Sequence, residues 1–192
     1  MVEKGRPMSR ALWRMNHMHV RKSLVVLGIV LISMWTLAAD SPKTAKSDAA
    51  AIFDRFKSLE GEWTSESAEM GTVRASYHLV GGGSALEERF SGDKVPGGEM
   101  VTLYHLNGDR LMLTHYCAAQ NQPRMVAKRL NPAKGEVDFA FLDATNLASA
   151  NAGHMHNAKY QFVDNDHFTS EWQFFENGKL KNTEVGHYTR VR

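Results

Sequence analysis

Glu99–Cys117 reads EMVTLYHLNGDRLMLTHYC, and this stretch decides the fold. Two runs rich in β-branched, aromatic and aliphatic residues flank Asn107-Gly108. Asn-Gly between such runs is a strong hairpin signal, because a tight primed turn needs positive φ where most side chains resist it. With Asn107-Gly108 as the two turn residues, His115 faces Met100 and shares a side with Tyr104, Leu113 and Cys117. His105 then lies on the opposite side with Arg110, Met112 and Thr114. If Asp109 joins the loop, the register moves by one and both histidines share a face.

The same unit of strand, turn and strand recurs outward from this hairpin in both directions. Period-two runs lie near 61–67, 72–80, 84–91, 98–106, 109–117, 123–131, 135–142, 155–163, 167–176 and 179–191. Gly81-Gly82-Gly83, Pro96-Gly97-Gly98, Lys134-Gly135, Asp164 to Asp166 and Asn177-Gly178 punctuate them as turns. Ahead of the first strand, Ser47 can cap a short helix over roughly 48–58, with Ile52, Phe53, Phe56 and Leu59 on one face. Asp143 to Gly153 breaks the rhythm as a small, Ala-rich segment, read as a short helix or a lid-like loop. No connection has the length of a parallel crossover, so the sheet is expected to be antiparallel. Ten consecutive strands cannot stay flat and open, because twist accumulates and two edges remain unpaired. The expected fold is therefore all-β: a ten-stranded antiparallel up-and-down barrel with a short N-terminal helix over residues 48–192. Its interior is expected to hold a cavity of several hundred Å³ for a small apolar or amphipathic ligand.

The N-terminus reads as an address. Lys4, Arg6, Arg10, Arg14, Arg21 and Lys22 precede the apolar run Leu24 to Ala38, and Ala38-Ala39 follow. A basic region, a short apolar region and small residues form the layout of a signal peptide over 1–39. Residues 40–47 read as a flexible leader. The expectation is export to the periplasm or beyond, with membrane contact only through this segment if it stays uncleaved. Six of the 23 Lys and Arg lie in 1–39, against one of the 21 acids. The remainder carries 17 basic and 20 acidic residues, a net charge of −3. That balance argues against nucleic acid as a partner. One cysteine, Cys117, excludes an intrachain disulfide and a Cys-rich metal site.

Phe56 to Trp63, FKSLEGEW, carries Gly-x-Trp on the first strand after a short helix, and Arg190 lies on the last strand. This resembles the opening signature of the lipocalin-like (calycin) barrels, and the body is similar to secreted bacterial domains of that kind. The resemblance implies that Trp63 closes one barrel end and that Arg190 packs over it. The strand count and helix also resemble the nitrobindin-type haem barrels, which implies haem ligated by a late histidine such as His187. Trp63 is followed by Thr64-Ser65-Glu66-Ser67, without the glycines of that second family. A structural or interaction barrel with a packed interior is a further alternative.

Candidate site residues follow from strand position. Tyr104, His105, His115 and Trp172 can line the interior, and His115 is an alternative haem ligand. Gln120, Asn121 and Arg124 border a polar loop at a barrel mouth, where ligand contacts are common. His154 and His156, two apart on a strand, can supply two metal ligands, with His167 or a carboxylate as a third and His187 as a further candidate. One of Glu87 and Glu88 must point inward, there to pair with Arg74, Arg124 or Arg129 or to titrate upward. His115 and Cys117 do not form a nucleophile–base pair, since two strand residues stand about 7 Å apart. No catalytic constellation emerges, and an enzyme is not expected.

Overall fold

The computed structural model describes residues 46–95 and 97–192. The expected signal peptide, and the expected leader up to residue 45, lie outside the described residues. Among the described residues no helix is long and apolar enough to cross a membrane.

Ser47 caps helix α1 (Asp48–Lys57) by accepting from the Ala50 amide. Its buried stripe of Ala49, Ile52, Phe53 and Phe56 packs on three strands of the sheet, β4, β5 and β6. The strands are β1 (Gly61–Ser67), β2 (Gly71–Val80), β3 (Ala85–Gly92), β4 (Met100–Asn107), β5 (Arg110–Tyr116), β6 (Gln122–Asn131), β7 (Glu136–Thr145), β8 (His154–Phe162), β9 (His167–Glu176) and β10 (Lys179–Arg190). Each pairs antiparallel with its neighbours in the chain, and β10 returns to β1. The result is a closed barrel without a free sheet.

Closure is narrow. β1 and β10 pair at only Trp63↔Arg190 and Thr64↔Thr189, with one more backbone bond from the Val191 amide to the Glu62 carbonyl. Beyond Thr64 these two strands form no further pairs. The opposite behaviour is seen at β1–β2, where seven consecutive pairs form.

The β4–β5 hairpin corrects the expected turn. Asn107 pairs with Arg110, so Gly108-Asp109 are the turn residues, and Gly108 takes the positive φ of +58°. Asn177-Gly178, by contrast, are themselves the turn between Glu176 and Lys179, both at positive φ. The side assignment survives the shift of two, because parity is unchanged: His115 faces Thr102 on the inner side, and His105 faces Met112 on the outer side.

The barrel end under α1 is filled. Phe56 stacks on Tyr104 at 4.5 Å between ring centroids and meets Tyr160 and Phe162 edge-on at 5.0 Å. Trp63, Tyr77, Phe139 and Phe168 complete a fully buried aromatic mass. The interior is thus solid at one end, and open space is confined to the other. The segment after β7 is a turn-rich loop without a helix, and β7 itself runs on to Thr145.

Candidate functional site

The space left inside the barrel lies on the side away from α1. An inner cavity of about 60 Å³ is walled by Val73, Phe90, Trp172, Tyr188, Ser65, Thr102, Glu88 and His115, among others. A larger vestibule of about 550 Å³ lies beside it, bordered by Glu69, Lys94, Cys117, Phe174 and Asn182. Met70, Met100, Met155 and Glu184 belong to both walls. Three unbranched, polarizable thioethers thus separate the two spaces, and such side chains rearrange readily. The inner cavity is well below the several hundred Å³ expected from strand count, because aromatic side chains and Phe56 of the helix occupy the rest.

A buried polar network forms the floor of this cavity. Strand alternation turns Glu88 inward and Glu87 outward, where Glu87 bonds Arg89. The Glu88 carboxyl accepts from Tyr77 Oη at 3.0 Å and from Tyr104 Oη at 2.5 Å. Tyr104 is bonded in turn to Tyr160 Oη at 2.6 Å, and Trp172 Nε1 donates to Tyr160 Oη at 3.2 Å. Among the described residues no arginine reaches Glu88: Arg74, Arg124 and Arg129 pair with Asp93, Asp143 and Asp138 on the outside. Burial therefore pushes the Glu88 carboxyl above its usual range, although bonds from Tyr104, Tyr77 and Thr102 oppose the shift. The same burial, with Glu88 nearby, holds the Tyr77 and Tyr104 phenols well above theirs.

Beside this network, His115 Nδ1 lies 2.9 Å from Thr102 Oγ1, and the ring packs against Trp172 with centroids 4.9 Å apart. Burial lowers the imidazole to about 4, so it is neutral near pH 7. His115 Nε2 and Ser65 Oγ are buried and have no partner among the described residues. Both line the inner cavity. Unsatisfied buried polar atoms are uncommon, and two in one cavity set it apart from a packing void.

No protein-family model matches the chain. No curated protein resembles it in sequence. Among solved structures it is similar to the crystal structure of Rv2717c from M. tuberculosis, at 13% identity over 73% of this chain and 98% of that one, with a TM-score of 0.47.

Of the residues singled out in the sequence, the inner cavity and its floor bring together Tyr104, His115 and Trp172. The others lie elsewhere. His105 is on the outer face, its Nδ1 near the Leu106 carbonyl. Gln120 is exposed at positive φ, and its carbonyl accepts from Asn146. Asn121 is buried and donates to the Gly153 carbonyl at 2.8 Å, tying two loops together. Arg124 forms a two-pronged pair with Asp143. Trp63 and Arg190 meet as neighbours, with the guanidinium 4.2 Å from the ring centroid.

The metal and haem candidates also separate. A bulge between Met155 and Asn157 turns Met155 to the cavity, while His154 and His156 line a side pocket between β7, the loop after it and Phe175. His154 Nδ1 donates to the Ala152 carbonyl, so its Nε2 accepts from His156 Nδ1 at 3.0 Å. The His156 ring is sandwiched between Phe141 and Phe175, at 4.9 and 4.5 Å. His167 bonds Asp164 at the far end of the β8–β9 hairpin, about 25 Å away at about 3.3 Å per residue. It is no third ligand, and among the described residues no three or more His, Cys, Asp or Glu converge as a metal-binding group. His187 is exposed on the outer face and bonds Thr169. It does not reach the interior, and the inner cavity is too small for a porphyrin against His115. The residues present do not fit a haem.

Sequence reasoning missed Ser65, Tyr77 and Thr102, and it placed Glu88 only as one of two alternatives. Their shared signal is period-two spacing: Ser65 follows Trp63, Tyr77 follows Ala75, and Thr102 precedes Tyr104 by two on inward-facing strands.

Proposed function

We propose that this barrel is an exported, lipocalin-like binding module for a small amphipathic molecule. The polar end of the ligand sits in the inner cavity and its apolar part passes the methionines into the vestibule. The observation that carries this reading is the pair of orphaned buried atoms, Ser65 Oγ and His115 Nε2, in a cavity otherwise lined largely by Val73, Phe90, Trp172 and methionines. A few fixed polar groups in an apolar concavity are the ordinary make-up of a small-molecule site. Export is supported by the basic-then-apolar layout of residues 1–39. The negative balance of the body supports a partner other than nucleic acid.

The test is titration of the purified chain with N-phenyl-1-naphthylamine, a neutral apolar fluorophore. Saturable enhancement is expected, and Met155→Trp, which fills the passage between cavity and vestibule, is expected to abolish it. Absence of saturable binding, or unchanged binding by a folded Met155→Trp variant, overturns the reading. Cell fractionation tests the address: recovery only in the cytoplasm removes the export half of the proposal.

A further inference from the structure

We propose that the polar end this cavity selects is a primary ammonium group, making the ligand class an alkylamine or similar organic cation. The inference rests on the binding reading above and deepens it.

The first argument is charge. Glu88 is 4% exposed and forms part of the cavity wall. The titratable groups facing it are Tyr77 from β2, Tyr104 from β4, Tyr160 from β8 and Tyr188 from β10, with His115 of β5 behind Thr102. None is a cation at neutral pH. Among the described residues no Lys or Arg lines the inner cavity. At its mouth stands Glu184, whose carboxyl lies against that of Glu69. Lys94, in the outer vestibule, is the basic residue there. A carboxylate ligand would meet like charge in a desolvated site. A cation would give the buried carboxyl the partner that the protein withholds.

The second argument is hydrogen bonding. Thr102 Oγ1, in the cavity wall with Glu88, lies 2.9 Å from His115 Nδ1. With the neutral ring protonated at Nδ1, Thr102 Oγ1 accepts from it and Nε2 carries a free lone pair. Ser65 Oγ is the second orphan acceptor. Glu88 is the third, because two tyrosine bonds leave a carboxylate with unused lone pairs. A primary ammonium brings three N–H donors to a wall that offers several unused acceptors, and an alcohol brings one. Trp172, Tyr188 and Phe90 add aromatic faces, which favour a cation over a neutral group.

The experiment compares hexylammonium, hexanol, hexanoate and hexyltrimethylammonium on the full chain by calorimetry, with tryptophan emission as a second readout. Hexylammonium is expected to bind at least tenfold more tightly than hexanol, with hexanoate weakest. Hexyltrimethylammonium keeps the charge without N–H donors and is expected to bind at least tenfold more weakly than hexylammonium. Glu88→Gln is expected to erase the preference over hexanol. Equal or tighter binding of hexanol or hexanoate overturns the inference, as does a preference that survives in folded Glu88→Gln. Should Glu88→Gln not fold, the trimethylammonium comparison on the unmodified chain decides, and equal affinity overturns it. Loss of naphthylamine binding as well overturns the binding reading with it, whereas retained naphthylamine binding without ammonium preference overturns this inference alone.

Discussion

The Arg190 guanidinium lies 4.2 Å over the Trp63 ring and, from the same position, donates to the carbonyls of Ser58, Glu60 and Asn165. One side chain therefore joins the last strand, the turn after α1 and the β8–β9 turn at a seam held by two residue pairs. Cation–π contact and charge-assisted bonds at a largely buried site contribute about 2–4 kcal/mol together. Arg190→Ala is expected to lower stability by that amount in urea unfolding. Arg190→Lys keeps the charge but loses the planar fork, and an intermediate loss is expected. A loss below about 0.5 kcal/mol in both variants would show that β1–β10 pairing closes the barrel without the clamp.

Glu88 separates the cost of a charge from the cost of a missing partner. Glu88→Ala strands the Tyr77 hydroxyl in the interior at about 1–3 kcal/mol, leaves Tyr104 bonded to Tyr160 alone, and opens a void. A loss of about 3 kcal/mol or more is expected. Glu88→Gln retains a hydrogen-bonding group and removes the ionisable one, so at neutral pH its stability is expected to equal or exceed that of the parent. Chemical denaturation at pH 7 checks both, and equal destabilisation by the two substitutions would contradict this account.

The pH dependence of stability contains two opposed contributions, from strands on either side of β4. The Glu88 carboxyl is raised on folding above its ordinary 4.5. Its contribution is intact below 4.5 and is lost as pH rises toward the folded value, because the unfolded chain ionises first. His115 is lowered on folding from 6.5 to about 4. Its contribution is intact above 6.5 and is lost as pH falls through that window, on the order of 3 kcal/mol at about 1.4 kcal/mol per unit. In the parent the two slopes oppose each other between pH 4.5 and 6.5. Relative to the parent, Glu88→Gln is expected to gain stability as pH rises from 4.5, and His115→Gln to gain as pH falls from 6.5. Urea midpoints at pH 4.5, 5.5, 6.5 and 7.5 measure both differences, and flat differences would rule out the assigned environments.

Much of this architecture is written locally. Ten period-two runs and their turn residues specify ten strands, and strand parity puts Tyr104 and His115 on one side and His105 on the other. Parity does not specify phase. Pairing with Asn107-Gly108 or Gly108-Asp109 in the turn buries the same faces, so the two hairpins with Asn-Gly resolve differently although the dipeptide is the same. Parity also fails at bulges. The extra residue near His156 sends Met155 inward and the two histidines to a side pocket, and nothing in HMHNA marks that position. The partners of Glu88 come from β2 and β4, and Tyr160 joins from β8. Which inward residues meet across a barrel depends on strand stagger and tilt, which local pattern does not encode. The extent of open space was overestimated for the same reason. The apolar face of α1 is legible, but not that Phe56 enters the barrel end.

Gly186 provides the sharpest test of the cavity wall. It lies on β10 beyond the paired part of the β1 seam and lines the inner cavity with Tyr188. A Cβ at this position would stand 2.9 Å from Tyr188 Cζ and closer still to Cε2. The ring cannot swing aside cheaply, because it is stacked on Phe168 at 4.6 Å with planes 4° apart and is 4% exposed. Gly186→Ala must therefore displace either β10 or the Tyr188 ring, at about 1–3 kcal/mol for overpacking. The accompanying Tyr188→Leu change removes the aromatic edge that the new methyl group meets. The double variant is expected to recover at least half of the loss, a coupling that a double-mutant cycle reads directly. Additive losses would show that the glycine serves β10 backbone conformation and not the packing of this wall.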